Sequence, residues 1–381
     1  MTPDEVLDRV RAGGLLPSGE RGGHRVIAML SGGRDSVCLL DLAAIVCGAE
    51  RVHALHVNYG LRAEADEEER HCRALCERLG VELEVVRAER PAGPGNLQAW
   101  AREVRYGEAL RLARELDAQP VDGRQEGERP VDGRQGEKRP EGERPGSGDA
   151  RGETPIATGH TATDQVETIL YRLAASPGRR ALLGMSPRDG RLVRPLLELT
   201  REQTAAYCRA RGLPWREDPS NDDERYARAR VRNRLLPALD AVHPAARENV
   251  LRTARLLREE GVVLDALVDA ELERDLAALA ETGADWGDTR SASAAGLHGR
   301  GGEPSVAIER LRDLPPVLAR LLVVRLAEEA AGAYVPQAGA RVGEILDLAA
   351  RGGRAELHVG GLVAAVIEGG RLRMVRLPPR S

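Results

Sequence analysis

Three groups of residues in this chain have types and spacings suited to chemistry. The first is Ser31-Gly32-Gly33-Arg34-Asp35-Ser36. It stands between an apolar run at 26–30 and a helix-compatible run at 37–44, so a strand, a glycine turn and a helix start lie end to end. Backbone N–H groups and the positive end of a helix dipole then converge on one point, where an anion is stabilised. The glycines let the backbone close around a phosphate, and the two serines add hydroxyl donors. Neither G-x-x-x-x-G-K-[ST] nor G-x-G-x-x-G fits this loop. The second group lies in the run 158–168, where Asp164 and Glu167 are three apart and project from one face of a helix start. Such a pair can simply favour the helix dipole, or it can hold a cation, either Mg²⁺ or an amine-bearing substrate; spacing leaves both open. The third group is arginine. Arg102 and Arg105, three apart within 96–106, could grip one phosphate bidentately or form a solvated basic face. Arg225, Arg228, Arg230, Arg232 and Arg234 crowd ten residues, and the acids Asp222, Asp223 and Glu224 all precede them. That density suits a nucleic-acid backbone, the plainer alternative being a solvated linker helix. Only Trp215 and Tyr226 lie nearby for base stacking.

These residues need a scaffold, and the first 215 residues supply one by alternation. Strands are expected at 25–30, 52–57, 81–86, 155–158 and 192–195, and helices at 35–46, 63–79, 96–116, 163–174 and 200–211. Thr200 with Gln203 reads as a capping box and Gly212 as a stop; Thr2-Pro3-Asp4-Glu5 opens a further helix in the same way. Such alternation predicts an α/β fold, a doubly wound, mainly parallel sheet that binds ligands at the carboxyl ends of its strands. A mainly helical domain with a small C-terminal β element should follow. Its helices are expected over 246–279, 310–331 and 338–350, and short strands at 355–359, 362–367 and 372–375. The expected boundaries are 1–217 for a catalytic domain, 218–283 for an arginine-rich helical region, 284–304 for a Gly/Ser-rich linker, and 305–381 for a helical and short-strand region. Within the first, 119–153 repeats Val121-Asp122-Gly123-Arg124-Gln125 as Val131-Asp132-Gly133-Arg134-Gln135 and is almost devoid of apolar residues. It cannot bury enough surface to offset ordering, so a disordered insertion is expected.

Composition narrows the function classes. With 381 residues the chain can build two or three domains. No apolar run reaches the roughly 18 residues that span a bilayer, and the N-terminus lacks the basic, apolar, small-residue order of a secretory signal. Five cysteines with no C-x-x-C pair argue against disulfides and a zinc site, and a cytoplasmic protein is expected. Lys138, in the insertion, is the single lysine, which removes lysine from the candidate catalytic groups. A net charge of −4 argues against a uniformly basic nucleic-acid binder and leaves the local arginine cluster to do such work.

Taken in order, these blocks resemble a family. The SGGxDS loop is similar to that of enzymes that split ATP into AMP and pyrophosphate. Adding His56-Val57-Asn58-Tyr59-Gly60-Leu61-Arg62, the 96–106 and 158–168 runs, Leu183-Gly184-Met185, Arg194-Pro195-Leu196-Leu197, Asp218-Pro219-Ser220-Asn221 and Arg232-Asn233-Arg234-Leu235-Leu236-Pro237, the chain resembles the tRNA(Ile)-lysidine synthetases over residues 24–237. The resemblance implies a Rossmann-like pyrophosphate-loop domain. It also implies a carbon–nitrogen ligase that adenylates C2 of the wobble cytidine in an isoleucine tRNA with a CAU anticodon. The amino group of free L-lysine then displaces AMP. By resemblance Ser31, Gly32, Gly33, Arg34, Asp35 and Ser36 would hold ATP, with Mg²⁺ arriving with the nucleotide and Asp35 its candidate ligand. Arg102 would lie near the nucleotide, and Asp35, Arg102, Asp164 and Glu167 would form the catalytic set. Asp164, Glu167, Arg232 and Arg234 would receive lysine, and Arg225, Arg228 and Arg230 would meet tRNA. The partners implied are the tRNA, free lysine and a second copy of the chain in a homodimer, with no membrane.

The chain departs from that pattern at four places. Thr163 stands where many members carry an acid, Thr161 where a second histidine is frequent, and Tyr59 where a histidine is frequent. Ala175-Ser176-Pro177-Gly178 replaces a usual Arg-Gly-Ser-Gly. No counterpart of the second C-terminal domain of longer members is recognised, so different tRNA contacts are expected. Two competing readings are a related pyrophosphate-loop enzyme that thiolates tRNA and a non-catalytic tRNA- or nucleotide-binding protein with a decayed site. The lack of C-x-x-C pairs opposes the first, and the retained 31–36 loop opposes the second.

Overall fold

The computed structural model describes residues 1–17, 24–60, 64–89, 97–119, 153–175, 179–217, 224–281 and 304–378. Outside the described residues lie 120–152 of the expected insertion, Leu61 and Arg62, Asn96, Ser176 to Gly178, the Asp218 to Asn221 turn, and all but the last residue of the expected 284–304 linker. The chain divides into two compact units, Met1–Ala254 and Arg255–Ser381.

The first unit opens with α1 (Pro3–Ala12), capped as its sequence predicts: the Thr2 hydroxyl accepts from the Glu5 N–H and the Glu5 carboxylate from the Thr2 N–H. There follow β1 (Val26–Met29), α2 (Arg34–Cys47), β2 (Val52–Asn58), α3 (Ala65–Leu79), β3 (Glu82–Arg87), α4 (Leu97–Ala118), β4 (Ile156–Ala157), α5 (Ala162–Ala175), α6 (Arg179–Leu182), β5 (Arg188–Asp189), β6 (Leu192–Val193) and α7 (Arg201–Ala210). The sheet order is β3-β2-β1-β4-β6-β5, parallel throughout except for β5 on β6. Period-two alternation sorts each strand between two cores. On β1 and the residue after it, Val26, Ala28 and Leu30 pack with the α1, α2, α3 and α7 side chains, while Ile27 and Met29 pack against Ala109, Leu112, Ala113 and Leu116 of α4. Both faces are covered, as a parallel sheet requires. The chain runs outward from β1 through β2 to β3 and then returns to place β4 on the other side of β1. The strand order therefore reverses between β1 and β4, the place where a doubly wound sheet opens a crevice.

The unit closes with α8 (Ala227–Arg230), a widened π-helical turn over Val231–Leu235, α9 (Leu236–Val242) and the start of α10 (Ala246–Glu281). Val231 and Leu236 pack on Val166 and Leu170 of α5.

In the second unit the rest of α10 packs with β7 (Ser305–Ala307), α11 (Ile308–Asp313), α12 (Pro316–Ala331), α13 (Val342–Arg351), β8 (Ala355–Gly360), β9 (Val363–Glu368) and β10 (Arg371–Arg376). Its sheet is antiparallel in the order β7-β10-β9-β8. The single helix expected over 310–331 is two, because Leu314, the residue before Pro315, is driven out of the helical region to φ −73°, ψ 149°. The strand β7 is absent from the sequence expectation; three residues carry too little pattern to announce it.

Candidate active site at the β1–β4 crevice

The loop 31–36 leaves β1 and enters α2 with Gly33 as N-cap and no side-chain cap on the helix. The first-turn N–H groups of α2 are thus not satisfied by a capping side chain, as an anion cradle requires. The loop is tied to itself: the Ser36 hydroxyl donates to the Gly33 carbonyl (2.8 Å), stands 3.1 Å from the Ser31 hydroxyl and accepts from the Ser31 N–H. Gly32 adopts φ +78°, a conformation glycine takes at no steric cost. The Arg216 N–H donates to the Gly32 carbonyl and braces the loop from outside. From the β4 side Gly159 comes so close that a Cβ there would sit 3.0 Å from backbone atoms of Asp35 and Ser36.

Asp35, Asp164 and Glu167 converge beyond this loop. The Thr204 hydroxyl donates to Asp35 Oδ1 (2.5 Å), and Arg34 Nε lies 3.3 Å from the same oxygen. Burial raises the Asp35 carboxyl above its ordinary value, against the pull of Thr204, Arg34 and Arg201, and the Asp164 charge adds to the rise. On α5, Asp164 Oδ2 accepts from the Thr161 N–H (2.9 Å) and hydroxyl (2.8 Å), while Oδ1 accepts from Arg201 (2.6 Å). Burial works against its charge, but Arg201 and Thr161 outweigh burial and hold it below the usual carboxylate range. Glu167, only 2% exposed, takes a fork from Arg232 at 2.7 and 2.9 Å and a bond from Arg201 at 3.2 Å. The two carboxylates on α5, Asp164 in its first turn and Glu167 in its second, therefore meet guanidinium groups from two other elements, beyond any helix-dipole role.

Arg232 and Arg234 part company in the π-helical turn. Arg232 reaches Glu167, whereas Arg234 pairs with Glu224 through both Nε (3.2 Å) and Nη2 and lies on the surface. Arg102 is exposed on α4 with its guanidinium carbon 4.7 Å from the Tyr106 ring centre. Arg105 donates to the Tyr59 hydroxyl, which donates in turn to the Ala101 carbonyl (2.9 Å). Tyr59 thereby links the end of β2 to α4 and packs edge-on against Trp100. Arg225, Arg228 and Arg230 are all exposed; Arg230 also donates to the Glu224 and Arg225 carbonyls. His160, between β4 and α5, is half-buried, with its Nδ1 2.9 Å from the Thr158 hydroxyl. Burial depresses it to about 4, and although Asp164 opposes that, Arg194, Arg228 and Arg102 reinforce it.

Several residues of the site escaped the sequence reading. Arg201 is the first residue of α7 and touches all three carboxylates, its Nε standing 3.8 Å from Asp35. In the sequence it reads as an ordinary helix start after Thr200, and spacing cannot say where a guanidinium will point. Thr204 and Gly159 carry no signal beyond the motif around them. Gln165 is a scaffold residue: its amide bonds both the N–H and the carbonyl of Met185 and so fixes the Leu183-Gly184-Met185 block.

An uncapped glycine loop at a strand-order reversal, faced by carboxylates held with arginine, defines a nucleotide-handling α/β protein. A PP-loop domain model matches residues 11–121 and 149–239, more than half of the chain, and the chain belongs to that family. Among curated relatives, the tRNA(Ile)-lysidine synthase of Pseudomonas fluorescens is 34% identical over 249 residues, covering 64% of this chain and 48% of that protein. The tRNA(Ile)-lysidine synthase of Symbiobacterium thermophilum is 34% identical over 360 residues, covering 91% of this chain and 64% of that protein. The chain thus spans about half to two thirds of these relatives' length. Among solved structures, a U34-tRNA thiolase of Methanococcus maripaludis superposes with a TM-score of 0.48 at 16% identity, over 67% of this chain and 78% of that one.

Proposed function

We propose that the protein is an ATP-dependent ligase that joins free L-lysine to C2 of the wobble cytidine in a CAU-anticodon isoleucine tRNA. One observation carries the reading: Asp164 and Glu167, on the helix that starts beside the phosphate loop, form an arginine-held acidic site against Asp35. Similarity to the two lysidine synthases supports the same substrates.

The chemistry runs in two displacements. The C2 carbonyl oxygen of cytidine attacks the α-phosphorus of ATP, the bond to pyrophosphate breaks, and the base carries an adenylate. A lysine amine then attacks C2, and the C–O bond breaks with AMP as leaving group. In the first step the N–H groups at the start of α2 and the hydroxyls of Ser31 and Ser36 would hold phosphate oxygens as charge moves onto them. Mg²⁺ bound with the nucleotide would neutralise phosphate charge, and Asp35 suits it. Asp35 is a loop carboxylate whose charge burial still penalises despite its donors, and phosphate and water would fill the remaining positions. In the second step Asp164 and Glu167 would bind the incoming ammonium and take the proton it must lose before attack. Arg102, exposed on α4, would meet the nucleotide phosphates, and the exposed Arg228 the tRNA backbone.

The test follows the fate of ATP. Incubation with the isoleucine transcript and lysine is expected to give AMP and pyrophosphate in equal amounts, with no ADP, and to stop when the transcript is omitted. Pyrophosphate release independent of tRNA, or ADP as product, contradicts the reading.

A further inference from the structure

Every oxygen of the acidic pair already accepts at least one hydrogen bond. Asp164 Oδ1 is taken by Arg201 and Oδ2 by Thr161; Glu167 Oε1 is shared by Arg201 and Arg232, and Oε2 is taken by Arg232. A cationic ligand therefore meets guanidinium groups already seated on these oxygens, and takes their place fully only where one of them turns away. The two candidates are held differently. Arg232 grips Glu167 as a fork at 2.7 and 2.9 Å, the strong bidentate geometry. Arg201 spreads single contacts over two carboxylates at 2.6 and 3.2 Å, and its buried Nε makes no hydrogen bond while lying 3.8 Å from Asp35 Oδ2. The backbone of Arg201 is fixed even where its side chain is not, since its N–H donates to the Thr163 hydroxyl (3.2 Å). One turn on, Thr204 holds Asp35. The first turn of α7 therefore touches the acidic pair with one residue and the phosphate-loop carboxylate with the other.

We propose that Arg201 is a positioning residue that couples the two half-sites: it is the resident counter-cation of Asp164 and Glu167, and cedes them to the ammonium of the amine substrate by turning toward Asp35 and the nucleotide phosphates. This rests on the lysine-ligase reading above. Charge favours the exchange. With Arg34 on Asp35, three carboxylates face three guanidinium groups here, so an added ammonium brings an uncompensated positive charge beside Arg201, and the nucleotide phosphates are the anions toward which it can move. A guanidinium moved to the phosphates tightens nucleotide binding, and by linkage the nucleotide tightens lysine binding by the same factor.

The experiment is calorimetric titration of L-lysine into the full chain with the isoleucine CAU transcript present, with and without Mg²⁺ and α,β-methylene-ATP, which cannot release pyrophosphate. For the unsubstituted protein the nucleotide should tighten lysine binding by about fivefold or more, a typical coupling size. In Arg201→Gln lysine still binds, and the factor falls to about one. Arg201→Lys keeps a charge but cannot bridge both acids at once, so it should lower the factor while preserving the fold; it carries the test if the glutamine variant does not fold. The same factor in the variants and the unsubstituted protein overturns the proposal, as does a factor near one in the unsubstituted protein. Absence of lysine binding to the unsubstituted protein in either state overturns the lysine reading itself, and this role with it.

Discussion

At Gly159 the site is decided by the absence of a side chain. A methyl group there would press on the Asp35 carbonyl and the Ser36 N–H at 3.0 Å, backbone atoms that cannot step aside without moving the start of α2. Gly159→Ala should cost about 1–3 kcal/mol in urea unfolding and weaken ATP binding. Glu167→Gln removes the charge that Arg232 and Arg201 share and leaves both guanidinium groups short of a partner in a buried place. A loss of about 3 kcal/mol is expected by denaturant unfolding, together with loss of lysine binding. His160 gives a pH signature. Its folded value of about 4 lies below the ordinary 6.5, so between those values the unfolded chain binds more protons than the folded one. Stability should therefore rise with pH across that window and be lost on acidification through it, by up to about 3 kcal/mol. His160→Gln should flatten that slope in unfolding curves taken from pH 4 to 7; an unchanged slope would show that other groups set it. The residue types at this scale were legible in the sequence, because Asp164, Glu167 and the 31–36 loop stand in recognisable strings. Their partners were not: Arg201 and Thr204 come from a helix some forty residues later, and only tertiary placement brings them in.

Among the elements, α2 and α7 carry the load of keeping that placement. Asp41, 1% exposed on α2, accepts from the Tyr207 hydroxyl (2.6 Å) and from Arg211 at 3.0 and 3.2 Å at the far end of α7. The clamp fixes the register between the helix that starts the phosphate loop and the helix that carries Arg201 and Thr204. Asp41→Ala should cost about 2 kcal/mol by leaving the buried Tyr207 hydroxyl without its acceptor. It should also lower ATP affinity although Asp41 lies midway along α2, away from the loop; an unaltered affinity would separate the clamp from the site. Strand and helix order in the first unit was readable because β1 and β2 are rich in apolar residues and helices such as α3 and α7 bury one face and expose the other. Two-residue β5 and the π-helical turn over Val231–Leu235 were not, since neither leaves a period to detect. That turn matters chemically. It sends Arg232 to Glu167 and Arg234 to Glu224, a divergence that their shared motif does not reveal.

For the molecule as a whole, charge is distributed rather than abundant. With a net −4, affinity for an RNA must come from local clusters, and the exposed Arg225, Arg228 and Arg230 form one in the first unit. Arg228→Glu with Arg230→Glu should weaken binding of the transcript and flatten its salt dependence while ATP binding stays intact, as filter binding at several salt concentrations would show. Unchanged affinity would remove this patch from the account. The second unit has its own buried anchor, Asp275 on α10, which holds Arg371 at 2.5 Å and the Ala307 N–H at 3.0 Å. Nothing in the local sequence signalled that pair, because its members are almost a hundred positions apart. Among the described residues no helix is long and apolar enough to cross a membrane. The central claim is tested most directly by incorporation of labelled lysine into the CAU isoleucine transcript with and without ATP, beside an elongator methionine tRNA and an Asp164→Ala variant. ATP-dependent labelling of the isoleucine transcript alone is expected, abolished in the variant. Absence of labelling by a protein that binds ATP and the transcript, or equal labelling of the methionine tRNA, would contradict it.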